Sequence, residues 1–122
     1  MASLLLKYRQ LAFGVAVAIT IAVVVLSLAS LPSTGPNFWD VLGGDKAKHF
    51  IAYGTLGVVW SWALLPGRRW WLLWLALAAL GVSLEYAQWA FNPNRYFEVA
   101  DMLANAAGAL VGCFGFKRIF PH

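Results

Sequence analysis

Cysteine is nearly missing from this chain, and charge is thin. Cys113 is the one cysteine in 122 residues. It excludes an intrachain disulfide and any Cys-based zinc site, and in its apolar stretch it reads as a small packing residue. Charged residues make up 11% of the sequence, against roughly 25% in an average soluble domain. No Gly-rich phosphate loop, nucleophile elbow or Cys–His pair is present. The net charge of +4 comes without a basic run or an aromatic stacking ladder, so nucleic acid is not an expected partner.

What fills the space is apolar. The sequence is 61% hydrophobic and carries seven Trp, a residue that gathers at membrane–water interfaces. A soluble core of this size could not hide that much apolar surface. The expected fold is all-α, a four-helix transmembrane bundle forming one domain over residues 1–122, with spans at about 11–31, 46–65, 70–91 and 99–116. The first run is long enough to cross a hydrocarbon core of about 30 Å. Pro32 to Pro36, Gly43-Gly44, Pro66-Gly67 and Asn92-Pro93-Asn94 separate the spans with turn chemistry. Ser27-Leu28-Ala29 resembles a signal-peptide cleavage site, but the apolar run before it is about twice the usual length. Leu31-Pro-Ser-Thr-Gly35 spells a sorting signal, yet three further spans follow where one apolar tail is required.

Four spans put both termini on one side. Lys7, Arg9, Arg68, Arg69, Lys117 and Arg118 lie there with no acid. The other side holds Lys46, Lys48 and Arg95 with all five acids, Asp40, Asp45, Glu85, Glu98 and Asp101. Positive-inside counting then places the termini in the cytoplasm and the acids outside. The Arg68-Arg69-Trp70-Trp71 corner becomes a headgroup-level anchor.

Three polar groups punctuate the apolar segments on the acidic side: Asp45-Lys46 with His49, Glu85 with Gln88, and Arg95 with Asp101 and Asn105. Asp45 and His49 are four apart, hence on one helical face, which Tyr53 and Gly57 continue. Asp45 is either an N-terminal anion with an interfacial histidine beside it or the carboxylate that orients the imidazole. Glu85 lies about two turns inside an otherwise Leu/Ala/Trp helix. Facing lipid it would cost several kcal/mol, so it is expected to face the bundle interior and meet a donor, with His49, Lys48 or Arg95 as candidates. An interhelical bridge serves it as well as a reactive role. Gly108 and Gly112 continue the stripe of Asp101 and Asn105, so this face packs closely on another span or on a second copy in a homo-oligomer.

Three chemistries fit such a mouth. His49, Glu85 and Asp101 could bind a divalent metal, although no metal-specific spacing is present. Lys48 and Arg95 could hold a phosphate while His49 or a carboxylate acts as general acid–base. Alternatively, the groups satisfy one another and lock the bundle. No cofactor is called for, and catalysis stays open.

The pattern Asp45-Lys46-x-x-His49-Phe50-x-x-Tyr53, Glu85-x-x-Gln88, Arg95, Asp101-x3-Asn105-x-x-Gly108 resembles the VanZ-like family of small bacterial membrane proteins over roughly residues 45–115. The resemblance implies a role at the outer face of the cytoplasmic membrane. The family's namesake is associated with resistance to the glycopeptide teicoplanin. The leading expectation is an outward-facing site that binds or processes an anionic envelope lipid, a lipid-linked envelope precursor or a glycopeptide-type ligand, formed by Asp45, Lys46, Lys48, His49, Tyr53, Glu85, Gln88, Arg95, Asp101 and Asn105. The resemblance supplies no reaction. A non-enzymatic assembly partner with a purely structural polar cluster is the competing function. A transporter built by oligomerisation is the third, opposed by the apolar half around Trp60, Trp62 and Leu64.

Overall fold

In the computed structural model the described residues are 2–29, 44–91 and 99–122. Helix α1 spans Ala2–Lys7, α2 Arg9–Leu28 and α3 Asp45–Leu64; a 3-10 turn, Gly67–Arg69, leads into α4, Trp70–Phe91, and α5 is Val99–Ile119. No strand occurs among the described residues, so the all-helical expectation holds. Helix α4 has the expected bounds, because Pro66 and Asn92-Pro93 flank it. Helix α2 stops at Leu28 rather than Leu31, its end marked by the extended Ala29. Helix α5 runs on through Ile119, past the expected end at Phe116, since Lys117 and Arg118 favour the negative end of a helix dipole. Short helix α1 was not foreseen; the Trp62 indole donates to the Leu5 carbonyl at 2.9 Å and holds it.

Among the described residues three segments are long and apolar enough to cross a membrane: Arg9–Leu28, Gly67–Phe91 and Val99–Ile119. Helix α3 has comparable length, 20 residues, but Asp45, Lys46, Lys48 and His49 crowd its first turns and it does not join them. The described residues thus contain three such helices, with a fourth, more polar helix packed among them.

Cross-helix contacts fix an alternating up-and-down course. Arg9 reaches the end of α3, and Gly67, before α4, lies beside His122 after α5. At the opposite end Ser27 meets Gln88, and His49 meets Asn105. Both termini thus share one end with the basic residues, and the polar groups share the other.

The tightest joint is between α3 and α5. A Cβ on Gly108 would strike the Phe50 carbonyl, and one on Gly112 the Gly54 carbonyl. Reciprocally, a Cβ on Gly57 would come within 3.0 Å of the Ala109 oxygen. The Gly108/Gly112 stripe does pack closely, but inside the chain. The expected contact with another span is thus made by α3. Tyr53, Leu56, Leu77, Ala109 and Cys113 build the core around this joint.

Tryptophan does more than mark the interface. Trp60 Nε1 donates to Thr20 Oγ1 at 2.9 Å, and Trp74 Nε1 to the Ala106 carbonyl at 3.0 Å. With Trp62, three indoles pin helix to helix where each N–H needs a partner away from water.

Helix α3 ends without a glycine. Leu65 adopts the left-handed conformation, φ 46°, and Pro66 follows. Arg9 supplies the cap: its Nε donates to the Ala63 carbonyl at 2.7 Å and its Nη2 to that of Leu64 at 3.3 Å. A cation on terminal carbonyls answers both the orphan acceptors and the dipole. Arg9→Ala should therefore cost about 1.5–3 kcal/mol, the range for hydrogen bonds to a charged group. Thermal melting in detergent checks this, and an unchanged midpoint would refute the capping role.

Candidate functional site

The polar end is built from the first turns of α3 and α5 and the last turns of α2 and α4. The close glycine joint places the start of α3 beside the start of α5. Lys46 Nζ then lies 2.6 Å from Asp101 Oδ1. This is an ion pair by distance only, since Oδ1 accepts no hydrogen bond among the described residues. The imidazole of His49 sits between two α5 side chains. Its Nδ1 is 2.9 Å from Asn105 Oδ1, and its Nε2 is 3.6 Å from Asp101 Oδ2. The first is a hydrogen bond; the second is beyond hydrogen-bond reach and is ionic only when the imidazole is protonated. The orientation assigned to the Asn105 amide puts an imidazole proton on Nδ1, leaving Nε2 turned to the carboxylate.

Asp101 is 2% exposed and Asn105 3%. Asp101 is in the first turn of α5, as a first-turn anion should be, but burial and two cross-helix partners give it a larger part. Two neighbours of His49 are thus on α5. Asp45, the carboxylate expected to orient the imidazole, begins α3, and its side chain lies outside the described residues, as do Asp40, Arg95 and Glu98.

Glu85 faces the interior, as expected of a carboxylate that lipid would penalise; it is 2% exposed. It lies within electrostatic reach of the Tyr53 hydroxyl. One turn on, Gln88 donates from Nε2 to the Ser27 carbonyl at 2.5 Å and ties α4 to α2.

A cavity of about 330 Å³ opens beside these groups, lined by Lys48, His49, Tyr53 and Gln88 and, from α2, by Val23, Leu26 and Ser27. Lys48, His49 and Gln88 lie within about one turn of their helix ends, roughly 5 Å at 1.5 Å per residue, and Tyr53 lies about two turns into α3. The structure therefore divides the sequence-derived candidates. Lys48, His49, Tyr53 and Gln88 line the cavity; Lys46, Asp101 and Asn105 stand behind His49. Of the candidate catalytic residues His49, Glu85 and Asp101, His49 alone is a lining residue. These three do not gather as a metal site: among the described residues no group of three or more His, Cys, Asp or Glu is placed to hold an ion. Sequence reasoning missed the whole α2 wall. Its residues are generic apolar ones, and Ser27 contributes a main-chain oxygen that no side-chain pattern can announce.

Apolar spanning helices around a buried polar end define a multi-helix membrane protein. The chain belongs to the VanZ/LLP1 family, whose model matches residues 15–120. That match takes in α2, which the motif resemblance had left out. No curated protein and no solved structure matches the chain.

Proposed function

We propose that this protein binds an anionic envelope lipid in the cavity between α2, α3 and α4, at the outer face of the bacterial cytoplasmic membrane. The carrying observation is one cavity with two unlike walls. Lys48, His49, Tyr53 and Gln88 form a polar wall, and Val23 and Leu26 an apolar one. Leu26, 62% exposed, continues onto the lipid-facing surface of α2 with Val25 and Ile21. A headgroup in the cavity can thus lay its chains along that helix. About 330 Å³ is near the lower end for small-molecule pockets. It suits a headgroup and is small for an entire glycopeptide. Any part in teicoplanin resistance would then act through the bound lipid or lipid-linked precursor rather than through capture of the drug. The outward orientation rests on six basic residues at the opposite end against Lys46, Lys48 and Arg95 at this one.

Lys48→Gln should weaken phosphatidylglycerol binding about tenfold, the loss of one charge-assisted contact, with the melting temperature nearly unchanged. Native mass spectrometry of the detergent-solubilised protein reads the first, and a thermal melt the second. Wild-type affinity in Lys48→Gln would sink the lipid reading.

A second reading has its own observation. Lys46, His49, Asp101 and Asn105 contact one another across α3 and α5, which is what a structural lock requires. It predicts that Asp101→Asn lowers the melting temperature and leaves lipid binding intact.

A further inference from the structure

Gln88 carries an acceptor that no described residue answers. Its amide orientation follows from chemistry: the Ser27 carbonyl can only accept, so the group facing it at 2.5 Å must be Nε2. The other amide atom, Oε1, is buried and has no hydrogen-bond donor among the described residues. The residue is 6% exposed and lines the cavity. A buried carbonyl-type oxygen without a donor is costly. A ligand that donates to it recovers that cost.

The same cavity wall contains Lys48 and His49. Basic groups there disfavour an ammonium headgroup as the source of the donor and favour a neutral one beside an anion. Building on the lipid-binding function above, we propose that Gln88 is a specificity-determining residue. Its Oε1 accepts a hydrogen bond from a hydroxyl of the headgroup, so the site selects hydroxylated anionic phospholipids over anionic phospholipids lacking a hydroxyl. Selection of this kind is strong for its size, because the wrong ligand leaves the oxygen buried and unpaired.

The test compares phosphatidylglycerol with phosphatidylpropanol, whose phosphodiester has the same charge and whose headgroup has the same carbon count but no hydroxyl. Both are titrated into the full chain in detergent and counted by native mass spectrometry. The wild type should prefer phosphatidylglycerol about fivefold, the worth of one net hydrogen bond. In Gln88→Met the ratio should fall to about one. Gln88→Lys guards against misfolding of that variant. It retains a donor for the Ser27 carbonyl but has no acceptor, and its ratio should also be about one, whatever its overall affinity. Equal wild-type binding of the two lipids overturns the role of Gln88 and leaves anionic-lipid binding standing. Binding of neither lipid removes both. A preference that persists in both variants assigns the hydroxyl to another residue and overturns the proposal.

Discussion

Leucine at position 112 is expected to abolish the folded state in mild detergent, and alanine there to lower the melting temperature sharply. The first added carbon would strike the Gly54 carbonyl and come within 3.0 Å of the Gly57 Cα. Both obstacles are backbone, so no side chain can swing aside. Relief requires α3 and α5 to separate, and that undoes the neighbouring contacts at Gly57 and Gly108. Overpacking costs typically 1–3 kcal/mol where side chains can adjust. Here the alanine should cost about 3 kcal/mol and the leucine more, against a total stability on the order of 5–15 kcal/mol. Gly115 provides the control. It lies in the same helix with nothing within 4 Å of an added Cβ, so Gly115→Ala should stabilise by up to about 1 kcal/mol through helix propensity. If the two alanine variants melt alike, the close joint does not exist.

The second large effect concerns Lys46. Its side chain is 43% exposed while that of Asp101 is 2% exposed, and this asymmetry sets the direction. Removing the carboxylate frees a lysine that can turn to water. Removing the lysine instead strands a buried carboxylate beside an imidazole 3.6 Å away. Breaking a buried ion pair from one side typically costs 3–5 kcal/mol, so Lys46→Met should lose about 3 kcal/mol. Asp101→Asn should lose only about 1. The double variant should be more stable than Lys46→Met alone, because the second change removes the stranded charge. Chemical denaturation of the three variants measures the cycle. A double variant less stable than Lys46→Met would show that the Asp101 charge is not what the lysine supports.

Much of this architecture was legible because lipid and turns write plainly. Proline and asparagine around residues 70–91 gave the bounds of α4, and apolar length announced α2 and α5. The glycines at 108 and 112 declared a close contact, but spacing on one helix cannot say whether the partner is the same chain or another copy. The same limit explains His49. Periodicity reveals neighbours along a helix, so it offered Asp45. Asp101 and Asn105, more than 50 residues away in sequence, approach it only because two glycine faces meet. Arg9 illustrates a third kind of blindness. Counted as a topology signal, it also caps α3, and its acceptors are the main-chain oxygens of Ala63 and Leu64. The indole pins of Trp62 and Trp74 are hidden likewise, since their acceptors are carbonyls.

The tie between Gln88 and Ser27 belongs to that group, and its main-chain acceptor makes the two positions unequal in tolerance to change. Any residue at 27 except one whose bulk fills the cavity presents the same carbonyl, so that position can drift without loosening α2 from α4. Position 88 has no such freedom, because one amide must donate on one side and accept on the other. Two residues in one hydrogen bond would therefore look unrelated to any method that infers contact from paired substitutions.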